Sequence, residues 1–303
     1  MKWIRQKRKG ATIKVYALGV QIFHYKAPVE LPPKPQPEQT PRPRQTWGLP
    51  AQQGACIVVG NGPSVAAFFR HHRHSLGKHT KICVNYAFQN PLYFEMKPQI
   101  HVFMDPAFWD LQRMAGRKEL IRELERVDWP LSIVLPERAR GKSCFEKWVR
   151  NKNITYCFIN TTYRDENTAA TDAVFEAWRV NDSMPRVENV ITAALYVAVQ
   201  LAFEKIYMIG VETNQFSYVV VQDDNTVCQR PPHFYDASPP LAPMTYGGRP
   251  MRMSILCHQL HWVFRGYEEL QQYATYSRAE IVNLTSGSYI DAFRKEDFRK
   301  IAL

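Results

Sequence analysis

From residue 55 onward, short apolar runs alternate with longer segments in which apolar residues recur every three to four positions. The apolar runs predict strands over 55–59, 81–85, 99–104, 131–135, 154–159, 205–209 and 279–283. The periodic segments predict helices over 64–75, 107–126, 143–150, 168–178, 190–203 and 254–275. Runs such as Ile57-Val58-Val59 and Ile206-Tyr207-Met208-Ile209 have no polar face, so both sides of each strand must be covered. Strands alternating with helices meet that demand as a parallel sheet with helices on both faces. The expected fold class is therefore α/β: a doubly wound, mostly parallel, Rossmann-like sheet forming a single ligand-binding domain.

The pattern breaks in three places. Residues 213–253 carry Pro231, Pro232, Pro239, Pro240, Pro243, Gly247, Gly248 and Pro250; a loop of this length inside a compact domain reads as a functional lid. Residues 28–53 are proline-rich and read as an extended linker. Residues 1–27 form a basic amphipathic arm, and its part from Ile13 to Lys26 resembles a hairpin. Trp3, Ile4, Phe23 and Tyr25 lie among lysines and arginines, a combination suited to an anionic membrane surface, although a solvated basic tail has the same composition. The catalytic domain is expected over 54–303.

Composition adds a bias in charge. The chain has 303 residues, 45% hydrophobic, with a formal net charge of +11, which suits nucleic acid, an anionic membrane or a phosphorylated ligand. Its six cysteines form no CxxC pair, so a zinc site is not expected; Cys56, Cys83 and Cys157 fall in apolar runs and read as buried thiols of a reducing cytoplasm. No run is long enough to span a membrane.

Candidate chemistry gathers at strand ends. Cys56-Ile57-Val58-Val59-Gly60-Asn61-Gly62-Pro63-Ser64 is a strand feeding a tight turn into a helix N-terminus. Gly60 and Gly62 allow a tight turn and a close approach of backbone to ligand, Pro63 suits the first helical position, and free N–H groups with the helix dipole would hold a phosphate. An ordinary β–α turn has the same signature. Asn61 follows this strand, Asn85, Asp105, Glu212 and Asn214 follow others, and together they outline one crevice at the carboxyl edge of the sheet. Asn189 is a candidate cap for helix 190–203, whose small first turn, with Thr192 and Ala193, would admit a ligand to backbone N–H groups or serve close helix packing. His233 on the lid is a candidate general base, with Tyr235 as donor and Asp236 to orient the imidazole. His71, His72 and His74, beside Arg70 and Arg73, read as a solvated basic face. No Asp-x-Asp pair occurs, so metal-dependent transfer is not expected.

The stretch Ile57–Ser64 resembles the opening motif of the bacterial sialyltransferases of glycosyltransferase family 42, whose wider relatives include Maf flagellin-glycosylation proteins and 6-hydroxymethylpterin diphosphokinases. Val84-Asn85-Tyr86, Val102–Pro106, Ile191–Tyr196 and Lys205–Glu212 resemble further family segments in the same order, over about residues 54–293. The resemblance implies an inverting, metal-independent transfer of a sialic acid or Kdo-like sugar from a CMP-sugar, in lipopolysaccharide or capsule assembly. It implies nucleotide contacts from Gly60, Asn61, Gly62, Ser64, Asn85, Asp105, Thr192, Ala193, Glu212 and Asn214. His233 would act as base, and Tyr235 or Tyr218 would stabilise the leaving phosphate. No cofactor is implied beyond the CMP-sugar donor, and the partners would be a glycan or glycolipid acceptor and, through the arm, the inner face of the cell membrane; self-association is left open. The chain departs from the family in having Ala193-Ala194 for Ser-Gly, Val190 for arginine, Asp105 for asparagine and no tyrosine beside Asn214. A carboxylate near the sugar or ribose argues for a different donor sugar or substituent. Two other classes stay open: a Mg²⁺-dependent pyrophosphokinase, which needs several acidic ligands, and a basic nucleic-acid-binding protein, which lacks a recognisable motif here.

Overall fold

A computed structural model describes residues 4–9, 12–17, 20–26, 47–49, 52–110, 118–163, 170–230 and 241–303, the first three stretches as backbone strands. The chain divides into two compact units, Met1–Thr40 and Pro41–Leu303. The first is an antiparallel meander of β1 (Ile4–Lys9), β2 (Thr12–Ala17) and β3 (Val20–Lys26), with a register shift at Val15/Tyr16. The hairpin expected over 13–26 is the β2–β3 pair, and β1 adds a third strand.

The second unit is built on β4 (Ala55–Val59), β5 (Thr80–Val84), β6 (Ile100–Val102), β7 (Leu131–Pro136), β8 (Ile154–Ile159), β9 (Lys205–Ile209), β15 (Glu280–Asn283) and β16 (Arg294–Lys295). Their order is β16-β15-β9-β4-β5-β6-β7-β8, and every neighbouring pair is parallel. The seven expected strands are all present. The α/β fold class holds.

Alternation along each strand decides what it faces. Cys56 and Val58 pack on one side with Ile82, Val84, Ala194 and Tyr273. Ile57 and Val59 pack on the other with Phe68, Cys83, Phe103 and Phe145. The helices are α1 (Ser64–His72), α2 (Leu92–Met96), α3 (Pro106–Trp109), α4 (Lys118–Glu125), α5 (Cys144–Trp148), α6 (Asp172–Arg179), α7 (Val190–Gln200) and α8 (Met253–Tyr276). α7 is apolar all round and buried from Ile191 to Gln200 because the sheet lies on one side and α8 on the other. Cys56, Cys83 and Cys157 are buried, as their apolar runs predict. Near the end of the Pro-rich stretch, Leu49 joins the core, and the Trp47 indole donates to Asn181 Oδ1 at 3.0 Å.

Several boundaries differ from the sequence reading. The helix expected over 64–75 stops at His72, and the one expected over 107–126 contains α3 and α4, with 111–117 outside the described residues. The basic face is not wholly solvated: His72 is buried, its ring 4.9 Å from Phe68 and its Nε2 2.6 Å from the Phe298 carbonyl oxygen. The stretch expected as a lid contains the antiparallel strands β10 (Val219–Val221), β11 (Val227–Gln229) and β12 (Ala242–Pro243), then a hairpin of β13 (Thr245–Tyr246) and β14 (Arg249–Pro250). Val227, Met251 and Leu256 form its small apolar core. No helix among the described residues is long and apolar enough to cross a membrane.

Candidate active site

The strand order sets the geometry of the crevice. From β4 the chain winds outward to β8, then returns to place β9 on the opposite side of β4, so the direction of winding reverses between β4 and β9. Ligands of open α/β sheets bind beyond the carboxyl ends of the strands near such a reversal. Two groups of residues lie along this edge.

The first surrounds a cavity of about 400 Å³ beyond the ends of β5 to β8, lined by Asn85, Asp105, Arg138, Thr161, Tyr163 and Arg186, with Glu188 and Asn189 from the turn into α7. Asn85 follows β5 directly and takes φ 43°, a left-handed conformation that asparagine tolerates better than most residues. Its carbonyl accepts from His101 Nε2 at 3.0 Å. Asp105 caps α3 by accepting from the Ala107 amide at 2.7 Å, and Asn189 caps α7 by accepting from the Ile191 amide at 2.8 Å. Arg186 pairs with Glu188 at 2.6 Å. Its guanidinium also lies over the rings of Tyr163, at 5.1 Å, and Trp262, at 4.7 Å. Arg138, exposed, lies over Trp109 at 5.8 Å. The cavity thus joins two guanidinium groups to amide and carboxylate oxygens.

The second group lies at the reversal. The amide of Gly60 donates to the Ile209 carbonyl at 2.8 Å and that of Gly62 to the Gly210 carbonyl at 2.9 Å. The Ser64 amide donates to Glu212 Oε1 at 3.1 Å. The free N–H cradle expected here is therefore already engaged by the chain's own acceptors, and the carboxylate of Glu212 stands where a phosphate was expected at the start of α1. Asn61 also turns inward, its Nδ2 donating to the Val84 carbonyl at 3.2 Å. This bond ties the end of β4 to the residue just before Asn85. The Ser64 hydroxyl is buried without a partner among the described residues.

The remaining expected residues fall elsewhere. Thr192 and Ala193 are buried in α7, where Thr192 faces the close approach of α8 at Gly266. Thr192 thus takes part in close helix packing. Asn214 Nδ2 lies 3.4 Å from the Tyr218 hydroxyl, beside Glu212. His233, Tyr235 and Asp236 lie outside the described residues. Among the described residues, no group of three or more histidine, cysteine, aspartate or glutamate side chains is placed to hold a metal ion.

Sequence reasoning missed Arg138, Arg186 and Glu188, which come from segments between predicted elements, and His101, which reads as one polar residue in an apolar strand. His101 is fully buried and stacked on Phe103, with ring centroids 4.0 Å apart and planes 8° apart. Burial pushes its pKa down to about 3, so the ring is neutral. Nε2 faces a carbonyl, which only accepts, so Nε2 carries the proton; Nδ1 then accepts from the Tyr93 hydroxyl at 2.9 Å.

No protein-family model matches the chain, and no curated protein matches it. A solved structure described as a Maf glycosyltransferase from Magnetospirillum magneticum AMB-1 is similar over 86% of this chain, with 13% identity and a TM-score of 0.47. The chain spans 37% of that protein's length.

Proposed function

We propose that the chain is an inverting, metal-independent glycosyltransferase that takes a CMP-activated sugar in the cavity beyond β5 to β8. The observation that carries this reading is the composition of that cavity: Arg138 and Arg186 beside Asn85 and Asp105, at the carboxyl edge of a parallel sheet. Guanidinium groups match a phosphate or carboxylate by charge and geometry. Asn85 and Asp105 supply acceptors for ribose or base donors. With Glu212 held at the start of α1, a phosphate belongs on the arginine side rather than on the glycine turn.

Transfer would be one displacement. The acceptor hydroxyl attacks the anomeric carbon as the bond to the CMP phosphate oxygen breaks, and its proton passes to His233. Tyr218 or Tyr235 would donate to the departing phosphate, the role the family resemblance implies for them; Asn214 Nδ2 directs its N–H at the Tyr218 oxygen, which leaves the phenol O–H to donate elsewhere. The sugar would be a sialic acid or Kdo-like acid, and the acceptor a glycan or glycolipid of lipopolysaccharide or capsule. The basic N-terminal arm would hold the enzyme at the anionic inner face of the membrane.

The test is thermal denaturation with CMP, CDP, UDP, GDP and ATP, each with and without Mg²⁺. A ligand that binds only the folded state raises Tm by mass action. Stabilisation by CMP without metal is expected. Stabilisation only by ATP with Mg²⁺ would replace this reading with a pyrophosphokinase, and salt-sensitive binding of RNA or DNA without any nucleotide effect would replace it with a nucleic-acid binder.

A further inference from the structure

Asn85 holds an unusual position. Its backbone is left-handed, φ 43°, on the wall of the cavity. Its Oδ1 is buried and has no hydrogen-bond partner among the described residues, although an unpaired buried carbonyl oxygen costs stability. Behind it runs a closed chain of hydrogen bonds, from the Tyr93 hydroxyl to His101 Nδ1 and from His101 Nε2 to the Asn85 carbonyl. Tyr93 and His101 are both buried, and Phe103 stacks flat on the imidazole.

We propose that His101, held in its Nε2–H form by the acceptor-only Asn85 carbonyl and braced at Nδ1 by Tyr93, is a positioning residue that holds Asn85 left-handed so that its side-chain amide is set to meet the bound nucleotide. The assignment of a nucleotide rests on the reading of the cavity given above; the positioning of Asn85 does not. His101 touches no ligand in this account. It acts through one backbone carbonyl, and its fixed protonation makes it a one-way donor.

The test compares wild type with Tyr93→Phe, His101→Phe and His101→Gln. Phenylalanine at 93 keeps the ring and removes the hydroxyl that braces Nδ1 of the imidazole. Phenylalanine at 101 keeps the stack on Phe103 and donates nothing, whereas glutamine reaches the Nε2 place with an N–H. The readouts are the side-chain amide resonances of Asn85 and the affinity for CMP. Tyr93→Phe and His101→Phe are expected to shift the Asn85 resonances and weaken CMP about tenfold, with turnover at saturating donor unchanged. His101→Gln is expected to keep affinity within about twofold. A purely structural histidine would lower Tm in all three variants without this pattern. Unmoved Asn85 resonances in Tyr93→Phe and in any folded His101→Phe overturn the proposal. If wild type binds no CMP, the nucleotide reading fails and the Asn85 resonances alone decide the positioning of Asn85.

Discussion

Glu212 reaches 148 residues back along the sequence to accept a hydrogen bond from the Ser64 amide at 3.1 Å. The bond closes the reversal between β4 and β9 and satisfies one of the orphan donors at the start of α1. An anionic side chain there also matches the helix dipole. Removing it by Glu212→Ala is expected to cost about 1–2 kcal/mol in urea unfolding. Glu212→Gln, which keeps an acceptor oxygen but not the charge, should lose less; equal losses in both variants would show that the hydrogen bond is not the stabilising element.

The glycines of the same turn are fixed by space. A Cβ at Gly60 would lie 2.2 Å from the Gly210 carbonyl oxygen, and one at Gly62 would lie 1.5 Å from Glu212 Oε2. Backbone cannot yield as a carboxylate can. Gly60→Ala should therefore destabilise by about 3 kcal/mol, the upper end for overpacking. Part of the loss in Gly62→Ala should be recovered in the double variant with Glu212→Ala, and strict additivity in that cycle would contradict the contact. Gly77→Ala, where nothing lies within 4 Å, serves as control and should stay within about 0.5 kcal/mol of wild type.

His101 ties stability to pH. Its folded pKa is lowered to about 3 by burial, while the unfolded chain takes up a proton near the ordinary histidine value of 6.5. Below that value the unfolded state binds more protons, so this contribution is complete above about pH 6.5 and falls as pH drops toward 3, by up to about 1.4 kcal/mol per pH unit. Denaturant midpoints at pH 7.5 and 4.5 should separate more in wild type than in His101→Gln. Equal separation would mean that His101 is not buried neutral.

Asn189 caps α7 through the Ile191 amide. Asn189→Ala should cost about 1 kcal/mol, and Asn189→Asp should retain most of the cap. Because Asn189 also lines the cavity, CMP affinity measured in the same two variants separates its cap from any part in binding.

The fold was largely legible in the sequence, because runs such as Ile57-Val58-Val59 and Ile206–Ile209 can be buried only in a two-sided sheet. β16 was not legible: Arg294–Lys295 is two exposed, charged residues whose strand geometry comes from pairing with β15. The site was half legible. Asn85 and Asp105 stand at strand ends and do reach one cavity, yet Arg138 and Arg186 meet there only because the sheet brings distant turns together. No local pattern at the glycine turn reveals that Glu212, 148 residues away, accepts from the Ser64 amide. Thr192 and Ala193 were legible as a small helical turn, but the approach of α8 to Thr192 at Gly266 was not.

The most direct measurement is calorimetric titration of CMP, without divalent metal, into wild type, Asn85→Ala and Arg138→Ala. The account predicts saturable binding at one site, weakened about tenfold in each variant while both stay folded. Absence of CMP binding to wild type, or binding unchanged in both variants, would contradict the assignment of this cavity as a CMP-sugar site.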